Sequence, residues 1–505
     1  MKDLLLGIDI GSSSSKAVLA QADGSVVVSA ERAHEISLPR PGWAEHDAES
    51  VWWADVLGLL RELGSDRLDR VAALCVSGIG PCLLPVDAAG VPLRPAILYG
   101  IDTRAEAEID ELTQRYGAEA ILASGGSPLT SQAIGPKLLW LRKHEPSLWS
   151  RARRFLMASS FAVLRLTGEY VLDHHSASQC DPLYDLDASR WREDWAAEIA
   201  PGIELPRLLW PGEIAGVVSA EAASNSGIPA GTPVAAGTID AWSEALSVGV
   251  LAPGDTELMY GTTMFIIQVS PAARPDSSLW LTAGIEPGTR TIAAGMATSG
   301  ALTGWFRDLV GRPSYEELLA EAAVAGPGSD GLVVLPYFAG ERTPLFDPQA
   351  RGAFLGLTLR HGRGHLYRAL LEAIAFGVRH ILETIEHAGG DTRRLVAVGG
   401  GTRGSLWTQI VSDVTGRTQD VAEIVIGAAY GDAQLAAAGC GAAPLGSWNR
   451  IVGTVAPDSE NRELYEELYG IYRELYPATR SQAHRLALLQ AAGSQGDSPE
   501  TLTAE

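Results

Sequence analysis

Leu4-Leu-Leu-Gly-Ile-Asp-Ile-Gly-Ser-Ser-Ser-Ser-Lys-Ala-Val-Leu-Ala20 and Glu257-Leu-Met-Tyr-Gly-Thr-Thr-Met-Phe-Ile-Ile-Gln-Val269 read alike. In each, a short apolar run meets a turn of glycine and hydroxyl residues, and a second apolar run follows. Such runs, bounded by turn residues, predict strands. Each stretch is therefore a strand, a polar turn and a strand. Asp23-Gly24 then marks a further turn, and Ser25-Val-Val-Val-Ser29 a third strand. Finding the pattern twice predicts two related halves that face one another, each offering a similar loop.

Outward from the first hairpin, strands alternate with helices, which predicts an α/β chain. A helix is expected over Glu49–Leu63, with Asp47 as N-cap and Gly64 as its stop. Val71–Ser77 is wholly apolar, as in a strand covered on both faces. Ala105–Tyr116 reads as a helix. Ala235–Asp240 reads as an apolar strand ending on a carboxylate. In the second half, Leu366–Ala388, Ser405–Thr415 and Ile426–Gly439 read as helices, the last one unusually rich in small residues. The expected division is residues 1–243 and 244–490, with a disordered tail over 491–505.

Composition narrows the function. The 505 residues are 46% hydrophobic and 20% charged, as in an ordinary soluble protein. A net charge of −22 argues against nucleic acid, whose binding needs a basic face. Anionic ligands stay possible, because backbone N–H groups and a bound cation can hold phosphate. The four cysteines, Cys75, Cys82, Cys180 and Cys440, are scattered and form no metal or disulfide pattern. With no signal peptide and no apolar run near the roughly 18 residues of a membrane span, a cytoplasmic protein is expected.

Three features carry chemistry. Asp9 ends a strand beside the donor-rich turn Gly11-Ser12-Ser13, which suits a magnesium–nucleotide site, although Asp-x-Gly-Ser is also a common hairpin turn. Gly261-Thr262-Thr263 offers a second such turn, and the two together could clamp a triphosphate. Gly399-Gly400-Gly401 lies between a strand and a helix, where backbone can approach an anion. It is neither a P-loop nor a dinucleotide fingerprint. Asp240, at a strand end near the junction of the halves, could accept a hydroxyl proton or simply cap the next helix.

With these motifs in order, the chain resembles the carbohydrate kinases named for their Phe-Gly-Gly-Tyr (FGGY) signature, in the xylulokinase-like branch. Gly42-Trp43-Ala-Glu45-His-Asp47, Asp87-Ala-Ala-Gly90-Val-Pro92, Tyr337-Phe-Ala-Gly340-Glu341-Arg342-Thr343-Pro344 and Gly399-Gly400-Gly401-Thr-Arg-Gly-Ser405 all carry the resemblance. It implies a two-domain actin-, Hsp70- and hexokinase-like (ribonuclease H-like) fold with a catalytic cleft between the domains. The sugar then lies on the N-terminal side and ATP on the C-terminal side.

The resemblance further implies ATP and Mg²⁺ bound by Asp9, Gly11, Ser12, Ser13, Lys16, Gly261, Thr262, Thr263, Gly400, Gly401 and Ser405, with Asp9 at the metal. Asp240 is the implied base. Gly80, Pro81, Tyr99, Asp102, Arg104 and Asp240 are the implied sugar contacts. The leading substrate is D-xylulose, converted to D-xylulose 5-phosphate. Alternatives are another pentulose, a hexulose or a polyol of the ribulose, glycerol or erythritol type, or a nucleotide-dependent switch on the same scaffold. The expected partners are sugar and ATP, without nucleic acid or membrane, and a homodimer is open.

Two departures fall on the sugar side. Ser77-Gly78-Ile79-Gly80-Pro81-Cys82 stands where relatives that use xylulose usually carry a Gln-Met-His-Gly stretch. Tyr99-Gly-Ile-Asp102-Thr-Arg104 carries one extra residue, which shifts Tyr99 and Asp102. Because a polar site rejects ligands that leave its groups unpaired, such changes bear on substrate choice.

Overall fold

Strands β1 (Leu4–Ile10) and β2 (Ser14–Gln21) pair antiparallel around the first polar turn, in a computed structural model that describes residues 2–494. β3 (Val26–Ala33) adds antiparallel to β2, and β4 (Val71–Gly78) lies parallel to β1 on its other side. β5 (Ile214–Val217) and β6 (Pro233–Ala235) complete a six-stranded sheet in the order β5-β6-β4-β1-β2-β3. β1 and β4 are almost wholly buried, which explains their unbroken apolar runs.

The second hairpin repeats this topology. β7 (Asp255–Tyr260) and β8 (Met264–Val269) pair antiparallel around the second polar turn. β9 (Trp280–Ala283), β10 (Arg290–Met296), β11 (Arg394–Val398), β12 (Gln419–Ala422) and β13 (Ile451–Val455) complete a seven-stranded sheet in the order β9-β10-β8-β7-β11-β12-β13. β11 lies parallel to β7 as β4 does to β1, and β12 follows β11 as β6 follows β4. On the other side, β10 is antiparallel to β8 as β3 is to β2. The two turns therefore occupy equivalent corners of two equivalent sheets.

Helices α1 (Asp240–Ser247) and α2 (Ala428–Gly439) join the halves. α2 packs on β1, β4 and α1. The approach is too close for side chains: a Cβ on Gly7 would lie 1.9 Å from the Ala429 carbonyl oxygen, and one on Gly431 would lie 1.9 Å from that of Ser243. This accounts for the small residues of α2. At the centre of the junction the buried Asp432 accepts from Ser77 N at 3.2 Å, Ser77 Oγ at 2.6 Å and Ser243 Oγ at 2.7 Å.

Several local expectations hold. Asp47 caps its helix by accepting from Glu49 N and Ser50 N, though the first turn is a π-turn over Ala48–Trp53 before the α-helix Ala54–Leu63. Ser405–Thr415 is helical as expected, but a 3₁₀ turn, Gly400–Arg403, separates it from the glycine triplet's strand. Two expectations differ. The strand before Asp240 stops at Ala235, because Gly237 turns at φ 75° where its absent Cβ would lie 1.9 Å from Val76 O. Asp240 therefore opens α1 rather than ending a strand. The C-terminal helix runs over Arg462–Ser494, through the first residues of the expected tail, while 495–505 lie outside the described residues. Among the described residues, no helix is long and apolar enough to cross a membrane.

Candidate active site

Each turn is closed by the N–H of its first glycine, across one residue fewer in the second turn. Gly11 N donates to Ser14 O at 3.1 Å, and Gly261 N donates to Thr263 O at 3.2 Å. In the second turn, the carbonyls of Gly261 and Thr262 accept from Gly300, Ser299 and Ala301 N–H. With its acceptors occupied, that turn has donors left for a ligand, chiefly threonine hydroxyls. The pairing of Met259 with Val398 sets Gly400 and Gly401, just beyond β11, beside the Gly261 turn. Ser405 opens the following helix.

A cleft of about 470 Å³ is walled by both halves. Of the residues expected from sequence, Asp9, Gly80, Tyr99, Asp240 and Thr263 line it. Gly11, Ser12, Ser13, Gly261 and Thr262 flank it on the turns. Lys16 sits on β2 opposite Asp9 and pairs with Glu31 at 3.7 Å. Ser12 lies close enough to the Tyr99 hydroxyl to influence its ionisation.

Asp102 and Arg104 turn away from the cleft. Asp102 is buried and accepts from Ala44 N at 2.7 Å and from Arg104 Nη2 at 2.7 Å. Arg104 pairs with Glu45 at 2.8 Å and lies over the Trp43 ring at 3.8 Å. With their charges paired to each other and to Glu45, they brace the wall instead of lining the cleft, although Arg104 Nη1 is buried without a partner. Ile101 takes the lining position expected of Asp102. Pro81 does not line the cleft either; its neighbours Ile79 and Gly80 do.

The sequence reading missed Gln132, Gln179, Asp181, Glu244, Trp280 and Arg342, all of which line the cleft. Gln179 is oriented from behind. His175 is neutral, its pKa pushed down to about 3 by burial, and its Nδ1 donates to Ala283 O at 2.7 Å. Its Nε2 must then accept from Gln179 Nε2 at 2.9 Å, which leaves the glutamine oxygen free. Only Arg342 carried a sequence signal, because it lies in the long Tyr337–Pro344 motif.

Carboxylates crowd the cleft floor. Asp240 accepts from Ala241 N at 2.8 Å, and burial pushes its pKa up to about 6. Glu244 lies one helical turn on and is pushed up to about 7, by burial first and then by Asp240. The Asp9 carboxyl is raised as well, by burial and then by Asp240, Asp432 and Glu244, and its Oδ1 is buried without a partner. Carboxylates that repel each other in a dry cleft bind protons or cations strongly.

This geometry, two donor turns flanking a carboxylate, meets matching comparisons. Residues 4–247 match the N-terminal domain of the FGGY family of carbohydrate kinases, and residues 257–440 match its C-terminal domain. The chain belongs to the FGGY family of carbohydrate kinases. Like other FGGY kinases it has a two-domain actin- and hexokinase-like fold, and it is an ATP-dependent sugar kinase. The crystal structure of xylulose kinase from Rhodospirillum rubrum is 34% identical and superposes with a TM-score of 0.88, covering 95% of this chain and 100% of that one. A xylulose kinase of Lactococcus lactis is 29% identical, over 95% of this chain and 98% of the relative. A gluconokinase of Bacillus subtilis is 28% identical, over 82% of this FGGY chain and 83% of the relative.

Proposed function

We propose that this kinase transfers the γ-phosphate of ATP to a hydroxyl of D-xylulose, giving D-xylulose 5-phosphate. The observation that carries this reading is Asp240, a carboxylate with a raised pKa at the floor of a cleft shared by both donor turns, in a chain similar over its length to xylulose kinases. Asp240 takes the hydroxyl proton as the sugar oxygen meets phosphorus. Ser12, Ser13, Thr262 and Thr263 donate to the phosphate oxygens, and Gly400, Gly401 and Ser405 lie along the nucleotide. The sugar side lies in residues 1–243 and the ATP side in 244–490.

Mg²⁺ fits this site at Asp9. Its buried, unpartnered Oδ1 lies among other carboxylates, which Lys16 offsets only in part. No group of three or more His, Cys, Asp or Glu among the described residues could hold a metal alone. Mg²⁺ in such sites takes one or two carboxylates and completes its shell with phosphates and water. Bound there, the ion would supply charge neutralisation at the β,γ-phosphates. The setting is a cytoplasmic enzyme, and a homodimer is compatible with it.

A second acceptor class is favoured by one observation: Ile79, Gly80 and Ile101 make part of the wall apolar. Another pentulose, a hexulose, gluconate or a polyol is the alternative. ADP release measured against a panel of these acceptors tests the reading. D-Xylulose is expected to give the highest kcat/KM, and a panel led by another acceptor would overturn the assignment.

A further inference from the structure

Arg342 lines the cleft, yet its guanidinium makes no hydrogen bond or ion pair with any described residue. Its backbone is fastened at every group. Arg342 N donates to Glu341 Oε1 at 2.7 Å, and Arg342 O accepts from Phe346 N at 2.6 Å. Glu341 pairs both ways with Asp347, and Thr343 N donates to Gly295 O at 3.1 Å. The adjacent Glu341 accepts from Ala297 N and Arg342 N on Oε1 and lies within electrostatic reach of the guanidinium without forming an ion pair with it. The loop therefore presents a free cation from a rigid base, which lowers the ordering cost of any contact it makes.

Its surroundings define what it can meet. Tyr99 lines the same cleft, within electrostatic reach of both Arg342 and Asp240. Arg342, Tyr99, Asp240 and Thr263 thus line one cleft, the place where acceptor and γ-phosphate would meet. The resident charges there are carboxylates, so an unpaired guanidinium is available to an incoming anion. The anion the reaction brings is phosphate.

We propose that Arg342 is a catalytic residue that holds the transferring phosphoryl group from the acceptor side. As the sugar oxygen bonds to phosphorus, the bond from phosphorus to the β,γ-bridging oxygen breaks. Its electron pair leaves with ADP, and the hydroxyl proton passes to Asp240. Arg342 donates N–H bonds to the equatorial oxygens throughout, using the planar fork that suits phosphate. The inference rests on the kinase activity and not on which sugar is used.

The test compares wild type with Arg342→Ala and Arg342→Lys, both in sugar phosphorylation and in acceptor-free ATP hydrolysis, where water replaces the sugar. Arg342→Ala is expected to lower kcat roughly 100- to 1000-fold, the scale of losing a donor to transition-state charge. KM for either substrate should change by less than about threefold. Hydrolysis should fall by a similar factor, whatever the sugar panel shows. Lysine should restore only part, since one ammonium cannot provide the fork. An unchanged kcat overturns the proposal. So does a sugar KM raised more than about tenfold with hydrolysis intact, which would mark Arg342 as a sugar ligand. ADP titration and thermal melts establish that each variant is folded, and Arg342→Gln replaces the alanine variant if that one is not.

Discussion

The Asp432 carboxylate accepts the Ser77 hydroxyl at 2.6 Å and so ties α2, late in the chain, to the strand whose end opens into the sugar wall. Ser243, three residues beyond Asp240, donates to the same group. One buried acceptor therefore holds three elements in register around Asp240.

Asp432→Ala would leave those donors unsatisfied and should destabilise the fold by about 3 kcal/mol or more. Asp432→Asn removes the charge and turns one of the two accepting oxygens into a donor, which the Ser243 hydroxyl can still meet as an acceptor. Burial raises the Asp432 pKa to about 7, above its unfolded value. The folded protein therefore keeps a proton that the unfolded chain releases, and the stability this confers is lost as pH rises through about 7. The asparagine variant should gain on wild type in urea melts between about pH 5 and pH 8. A gap that does not vary with pH would refute this.

Asp9→Asn should separate stability from activity. The substitution removes one of several mutually repelling carboxylates whose Oδ1 has no partner. The ligand-free variant should melt no lower than wild type near pH 8, while turnover with Mg²⁺ and ATP falls at least about 100-fold. Retained turnover, or a much lower melting temperature, would contradict the role given to this residue.

Packing of α2 can be tested by two glycines. A Cβ at Gly431 would collide with Ser243 O at 1.9 Å, whereas Gly470, within the last helix, has nothing within 4 Å. Gly431→Ala should cost about 3 kcal/mol or more and displace α1, while Gly470→Ala should add roughly 0.5–1 kcal/mol from helix propensity. Equal effects in chemical denaturation would overturn the close-approach account.

Both hairpins could be read from sequence because each is local: buried strands need continuous apolar runs, and their turns need glycine and hydroxyls. The repeat then fixed the two-sheet plan. Asp240 was misplaced onto a strand because the turn at Gly237 is set by Val76, far earlier in the chain. The sugar wall was least legible. The extra residue before Arg104 was visible, but its result was not, since Asp102 turns inward toward Ala44 N and an arginine held by Glu45 and Trp43. Gln132, Gln179 and Asp181 come from segments without motif or period, and only tertiary contacts gather them.

The pH dependence of kcat/KM should report the base. Asp240 must be ionised to accept a proton, and burial raises its pKa to about 6. Activity should therefore fall as pH drops below about 6, with an apparent value shared among the coupled carboxylates. An acid limb near pH 4 would show that the base is not held in this environment.

The most direct test of the account is turnover of Asp240→Asn with ATP and its best acceptor, alongside calorimetric binding of both substrates. Loss of at least about 100-fold in kcat with both affinities retained is the predicted result. Near-wild-type turnover with intact binding would contradict Asp240 as the base.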